Sequence, residues 1–401
     1  MQDYGQLEKI VDTTIKATIE TKKFDLGLFR QDMEKEFARL GFREPSSKEG
    51  SVQKILILRL DAVGDFILLT PSIRAIRENF PRAYITLVVT KAVYPMAELC
   101  PYVNEVIVFE TPFKSSVDNK DVLQIFKTTV NFSAQYLWKK HFDICFSFLN
   151  DVTHSLLAYI SGAKIRVGEG GGIANIFLNN PIPVDHIKIS HWCEKNLYLV
   201  QACGLKINSA DLEIWYDEED LRIAKDILKD FAPNRLKIAF GLAANTGNRR
   251  YPVEKYLIAL KKIVEKGASL ILLGGPTEIK DAQFLEDNLP KEFVKNVAKI
   301  HLGWRVDSAI ISLTDMYLGN DTGTQHIAAT FKKPVIVLSR ETKDRLRKFG
   351  AYCENVVFSP WQTKYITLLA NYPQGIAHLQ FLWVRLKVLM TRLFLQFSLK
   401  R

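Results

Sequence analysis

The run KILILRLDAVGDFILLTPSIRAI, from Lys54 to Ile76, holds a strand, a turn and a helix in one short stretch. KILILRL is almost continuously apolar, as a strand covered on both faces requires. Gly64 lets the chain turn tightly, and the helical pattern runs from Pro71 to Phe80. The same grammar then repeats. YITLVV from Tyr84, VIVF from Val106 and DICFSF from Asp143 are further short apolar runs with helical stretches between them. Strand and helix in alternation predict a parallel sheet covered by helices.

A second series begins near Leu236, with KIAF from Lys237, SLILLGG from Ser269, MYLG from Met316 and PVIVL from Pro334. Helices are expected at 252–266, 278–288 and 323–331, and in the middle region in HWCEKNLYLVQACGL and DEEDLRIAKDILKDF. The fold class is therefore α/β, with two Rossmann-like, doubly wound domains at 51–220 and 221–360. Two such domains in tandem are expected to face a cleft, because ligands of open α/β sheets bind beyond the carboxyl ends of the strands. Residues 1–50 carry a loose helical pattern and end in the breaker-rich run EPSSKEG, which reads as a helical extension and linker. Residues 361–401 form a basic tail.

With 401 residues, 47% of them hydrophobic and 24% charged, the chain has material for two ordinary cores. The net charge of +10 favours anionic partners. It is concentrated in the tail and no aromatic-basic reading surface is evident, so nucleic acid is not expected as a partner. Five cysteines without a C-x-x-C, and seven histidines without metal-ligand spacing, suggest neither a disulfide framework nor a metal site. The first residues lack the apolar centre of a signal peptide, so a cytoplasmic location is expected. No G-x-G-x-x-G and no G-x-x-x-x-G-K-[ST] occurs, which withdraws support from NAD binding and P-loop chemistry.

Four loops carry candidate chemistry. In the first, Asp65 stands where a helix N-cap would be, or serves as a general base taking a proton from an attacking hydroxyl. Asp61 either orients an acceptor or is solvated, and Arg59 reads as a strand-end charge. In GLAANTGNRRYP, Arg249 and Arg250 suit phosphate oxygens, or form a solvated basic turn. In LLGGPTE, Gly274 and Gly275 permit close backbone approach, and Glu278 either accepts from a ribose or is an ordinary first-turn helix acid. In YLGNDTGTQHIAATFKKPVIVL, the helix start near Gly323 presents free amides to a diphosphate, Thr322 adds a hydroxyl donor, and Asp321 faces sugar hydroxyls. A capped helix with a structural His326 is the plainer alternative.

RLDAVGDFILLTPSIRAIRENFP resembles the first strand–helix unit of glycosyltransferase family 9, the bacterial heptosyltransferases, where an [IVLM]-G-D turn follows the first strand. GNDTGTQHIAATFKKPVIVL resembles that family's [SN]-D-[ST]-G-x-x-H-[IL]-A-A segment, R-R-Y-P its basic-aromatic-proline element, and GGPTE its glycine-rich ribose loop. The likeness spans about residues 52–360. It implies a GT-B fold, an acceptor held mainly by the N-terminal domain, a nucleotide-sugar held by the C-terminal one, and inverting transfer without a metal or other cofactor. It further implies Asp65 as base; Asp61 and Gly64, beside it on the same turn, are the candidates for the acceptor side. Arg249, Arg250, Gly274, Gly275, Glu278, Asp321, Thr322, Gly323 and His326 would belong to the donor site. Thr324-Gln325 replaces the commoner Pro-Met type of pair and Tyr251 stands where Trp is frequent, so the sugar is left open between heptose and another.

The tail adds a last expectation. After Glu354 there is no acidic residue. In LQFLWVRLKVLMTRLFLQFSLKR, residues 379–401, Leu379, Leu382, Trp383, Leu386, Leu389, Met390, Leu393 and Phe397 share a helical face, with Arg385, Lys387 and Arg392 on the other. Such a helix suits an anionic membrane surface, where a glycan or lipid-linked acceptor resides, or else it packs on the protein. Besides a glycosyltransferase, two functions fit the residues: a nucleotide-sugar epimerase of the same fold, which would form product from donor alone, and a non-catalytic nucleotide- or membrane-binding protein, which would bind without turnover.

Overall fold

The computed structural model describes residues 52–110, 128–171, 177–184, 189, 191–243, 251–339 and 358–369, together with Lys35. The N-terminal extension, Arg249, Arg250 and the tail segment 379–401 lie outside the described residues. The chain divides into two compact units, Met1–Asp185 with Glu194–Ala210, and His186–Cys193 with Asp211–Arg401.

The first unit is built on β1 (Lys54–Arg59), β2 (Tyr84–Val89), β3 (Glu105–Val108), β4 (Ile144–Ser147), β5 (Ile165–Glu169) and β6 (Asn180–Ile182). They form one sheet in the order β3-β2-β1-β4-β5-β6, and every pairing is parallel. The apolar runs are apolar because they are covered on both sides: Ile55, Leu56, Ile57 and Leu58 have no exposed surface. Leu56, Leu58 and Val88 pack with Phe109, Phe142 and Leu157 in one cluster. Pro181 is accommodated because β6 is an edge strand, where a missing amide breaks no ladder. The helices are α1 (Val63–Ile67), α2 (Thr70–Asn79), α3 (Tyr94–Ala97), α4 (Val152–Ile160) and α5 (Trp192–Ala202).

The second unit repeats the plan. β7 (Lys237–Gly241), β8 (Ser269–Leu273), β9 (Val294–Asn296), β10 (Met316–Asn320), β11 (Val335–Ser339) and β12 (Tyr365–Leu369) pair in the order β12-β11-β10-β7-β8-β9, again all parallel. Its helices are α6 (Glu218–Leu228), α7 (Val253–Glu265), α8 (Ile279–Asp287), α9 (Gly303–Ser312) and α10 (Gly323–Thr330). The five residues of β12 fall in the stretch that sequence assigned to the basic tail. They pair with β11 through a register that starts at Val335 opposite Tyr365.

In each sheet the chain starts at a central strand, works to one edge, then returns beside its starting point and works to the other. Strand order therefore reverses between β1 and β4, and again between β7 and β10. Loops leaving the carboxyl ends of two such strands diverge and leave a crevice. One reversal brings together the turn after Arg59 and the turn after Ser147. The other brings together the turns after Gly241 and Asn320.

Candidate functional site

Arg59 ends β1 and has no exposed surface. A buried guanidinium must be paired, and its three nitrogens are used in three directions. Nη1 donates to the Phe148 carbonyl at 2.9 Å, across the reversal point. Nε stands 2.7 Å from Asp61 Oδ1, and Nη2 3.3 Å from Asp65 Oδ1. The two carboxylates keep 20% and 19% of their side-chain surface open. Arg59 is thus no strand-end charge, and Asp61 is held on a guanidinium and not merely solvated.

The N-cap of α1 is Ala62, and Asp65 is the third residue of the helix, whose Oδ2 accepts from the Ala62 amide at 3.3 Å. The sequence placed Asp65 at the cap itself. The chain enters the helix earlier because Val63 and Gly64 are already buried in its first turn. Burial pushes the Asp65 carboxyl up to about 7, and the Asp61 charge pushes the same way. Arg59, the Ala62 amide and Lys195 pull it down without prevailing. Lys195 of α5 is buried and bonded to Glu169 Oε2 at 2.9 Å. A carboxyl poised near neutrality, partly open and beside a fixed cation, suits a general base.

In the second unit, β10 delivers Asn320, Asp321 and Thr322 to the start of α10. Asn320 ties the reversal point together: its Nδ2 donates to the Leu242 carbonyl at 2.8 Å and its Oδ1 accepts from the Tyr256 hydroxyl. Thr322 is the N-cap of α10, yet its side chain does not cap the helix. Its hydroxyl pairs with Thr324 Oγ1 at 2.8 Å, and Thr324 Oγ1 pairs with the Tyr317 hydroxyl at 2.8 Å. The cap position therefore leaves the helix start to an incoming acceptor.

Tyr317 can stand here because of the glycines beside it. A Cβ on Gly241 would lie 2.0 Å from the Tyr317 hydroxyl oxygen, and a Cβ on Gly319 would lie 2.4 Å from the Gly241 carbonyl oxygen. Gln325 is buried and donates to Asp321 Oδ1 and to the Phe358 carbonyl. This fixes the carboxylate that sequence assigned to sugar hydroxyls. His326 is 4% exposed, and burial, with His191 nearby, pushes it down to about 3. The ring is therefore neutral, with no charge to offer a phosphate.

Gly274 and Gly275 let Glu278 fold back over its own loop. A Cβ on Gly274 would come within 2.9 Å of Glu278 Cβ. Glu278, 2% exposed, accepts from the Gly275 amide at 2.9 Å and from the Thr277 hydroxyl at 2.6 Å. Both carboxylate oxygens thus hold the loop. Among the described residues no group of three or more His, Cys, Asp or Glu side chains is placed to hold a metal. An open depression of about 720 Å³, lined by Tyr94, Val106, Tyr136 and Lys139, borders the edge strand β3 and includes none of the candidate residues. The thiols of Cys100, Cys145 and Cys193 are buried and that of Cys203 half-buried.

Sequence reasoning missed Arg59, Lys195 with Glu169, His154 and Tyr317. Arg59 left a faint signal, a cation closing an apolar strand two residues before Asp61 and six before Asp65. The others depend on partners far along the chain.

The chain is similar to known proteins. The family model of glycosyltransferase family 9 (heptosyltransferase) matches residues 133–374. Lipopolysaccharide heptosyltransferase 3 of Escherichia coli K12 is 22% identical over 318 residues, which cover 77% of this chain and 85% of that protein. Among solved structures, a family 9 glycosyl transferase from Veillonella parvula aligns with a TM-score of 0.64 at 19% identity, over 84% of this chain and 92% of that one. The ADP-heptose LPS heptosyltransferase II of E. coli aligns with the same score at 18% identity, over 85% and 99%. The latter likenesses show the fold, the GT-B architecture of two parallel-sheet units. The family model spans more than half of the chain: the protein belongs to glycosyltransferase family 9, the heptosyltransferases, and is a glycosyltransferase.

Proposed function

We propose that the protein transfers a sugar, heptose or a related one, from a nucleoside-diphosphate donor to a hydroxyl of a lipopolysaccharide or other surface-glycan precursor, with inversion and without a metal. The observation that carries the reading is the Asp65 carboxyl, raised to about 7 on a guanidinium shared with Asp61. Asp65 takes the proton of the acceptor hydroxyl. The acceptor oxygen forms its bond to the anomeric carbon from the face opposite the leaving group, and the bond from that carbon to the diphosphate oxygen breaks. Asp61 and the Gly64 turn border the acceptor.

On the donor side, the amides at Gly323 and the Thr322 hydroxyl meet the diphosphate, aided by Arg249 and Arg250. Such groups stabilise the charge that grows on the departing nucleoside diphosphate. Asp321, held by Gln325, meets the sugar hydroxyls, the Gly274–Glu278 loop meets the ribose, and His326 supports the 321–326 turn. The relative that prints ADP-heptose in its title makes that donor the first to test. Among the described residues no helix is long and apolar enough to cross a membrane. We place the protein on the inner membrane face, with residues 379–401 on anionic lipid where a lipid-linked acceptor resides.

Thermal stabilisation by ADP, UDP, GDP and their sugars identifies the base, since a ligand stabilises the state it binds. Asp65→Asn then keeps donor-induced stabilisation and abolishes transfer. Undiminished transfer by that variant removes Asp65 from the role of base.

A further inference from the structure

At the reversal point of the first sheet, one side chain joins the two strands that part there. The β1–β4 ladder runs to Leu58 opposite Ser147. Beyond it the Leu60 amide is bonded not by a strand carbonyl but by Nε2 of His154, at 3.0 Å, from a position 94 residues along the chain. A backbone amide can only donate, so Nε2 carries the lone pair and the ring proton sits on Nδ1. That proton faces Asp151 Oδ1 at 3.0 Å. Asp151 is the N-cap of α4, and the same oxygen accepts the His154 amide at 2.7 Å. Burial works to raise the Asp151 carboxyl, but the hydrogen bonds it accepts from the His154 ring and amide hold it below the ordinary range. The ring is buried and fixed at both nitrogens. Leu60 directly precedes Asp61 and the Ala62 cap of α1.

We propose that His154 is a positioning residue for transfer: through the Leu60 amide it fixes the turn on which Asp61 and Asp65 are presented to the acceptor. The proposal rests on Asp65 being the base. A group misplaced by about 1 Å costs up to about 10²-fold in rate, and the turn is held from outside by His154 on the Leu60 amide, by the Thr90 hydroxyl on the Asp61 carbonyl at 3.2 Å and by Arg59 on its carboxylates. The groups facing Asp65 are Asp61, Arg59 and Lys195, the last backed by Glu169.

The test needs no substrate. The unfolding free energy of the chain is measured against pH with and without Asp65→Asn, and the difference levels off at the pH where Asp65 ionises in the fold. His154→Leu keeps bulk and removes the acceptor, whereas His154→Gln keeps an acceptor oxygen within reach. In the His154→Leu chain the levelling point falls by about one pH unit or more, because a relaxed turn admits water to Asp65. Hydrogen exchange at the Leu60 amide rises at least about tenfold in the same chain, as a lost bond opens the turn. His154→Gln holds both near the original values. If His154→Leu does not fold, His154→Asn, too short to reach Leu60, takes its place with the same expectation. An unmoved levelling point, unchanged exchange at Leu60, or His154→Gln behaving as His154→Leu does, overturns the proposal. Loss of the base reading would show separately, as transfer by Asp65→Asn.

Discussion

Replacing Asp61 by asparagine removes one of the two negative charges on the Arg59 guanidinium and leaves the other. Carboxylates gripping Nε and Nη2 of one guanidinium stand on the order of 5 Å apart, and at an effective dielectric constant of about 20 they repel by about 3 kcal/mol. That is worth about 2 pH units in the ionisation of the partner. Both side chains keep about a fifth of their surface open, so water screens part of this and about 1–2 units remain. The sign follows from Asp61 being a cause that raises Asp65: without it, Asp65 ionises at lower pH. With the ionised form as the proposed base, the rise of kcat/KM with pH is expected near 7 in the unaltered protein and should move down to roughly 5–6. Initial rates of nucleoside-diphosphate release between pH 5 and 9 read this shift. Maximal turnover also falls if Asp61 orients the acceptor, but the position of the acid limb is independent of that loss. A limb that stays at 7, or moves up, refutes the electrostatic reasoning and with it the pairing of the two carboxylates.

Three further outcomes follow from the same geometry. The folded Asp65 carboxyl ionises at about 7 and the unfolded one at 3.8, so its stabilising contribution is whole below about pH 4 and lost as pH rises to about 7. Unfolding free energy of the unaltered chain minus that of Asp65→Asn should therefore drop by about 2–4 kcal/mol from pH 4 to 8, and a flat difference contradicts the raised ionisation. Tyr317→Phe deletes the hydroxyl at the end of the Thr322–Thr324 chain; it should cost about 1–2 kcal/mol in stability and raise the apparent donor KM several-fold, against no change in donor KM if the chain is only structural. Gly241→Ala drives a methyl to within 2.0 Å of the Tyr317 oxygen and should destabilise the second unit by about 3 kcal/mol or more, read as a lowered denaturant midpoint; a neutral effect would mean that the two strands part easily.

Most of the architecture could be read from the runs at Lys54, Tyr84, Lys237, Ser269, Met316 and Pro334, because strands covered on both faces must be uniformly apolar. The runs that escaped are those with a reason to break the pattern. β5 carries Arg166, whose guanidinium is bonded to the Phe177 and Ala163 carbonyls. β6 carries Pro181 at a sheet edge, β9 is three residues long, and β12 begins with an exposed tyrosine. The loops of the site were legible as loops, and Asp65, Glu278 and Asp321 as their carboxylates. The partners were not, since a histidine 94 positions away or a tyrosine across two glycines becomes a neighbour only when parallel strands are laid side by side. Spacing along a chain records helical and strand periods. It records nothing of which strand lies next to which.

Under the role proposed for Asp65, the buried arginine also sets how charge is carried through a cycle. A guanidinium does not release its proton, so Arg59 with two ionised carboxylates bears one net negative charge while it waits for an acceptor. Once Asp65 has taken the acceptor's proton the cluster is neutral, and it must hand that proton to solvent before a second sugar can be moved. Acid thus keeps the spent cluster neutral, because the share of it that has lost its proton falls about tenfold for each pH unit below the ionisation point.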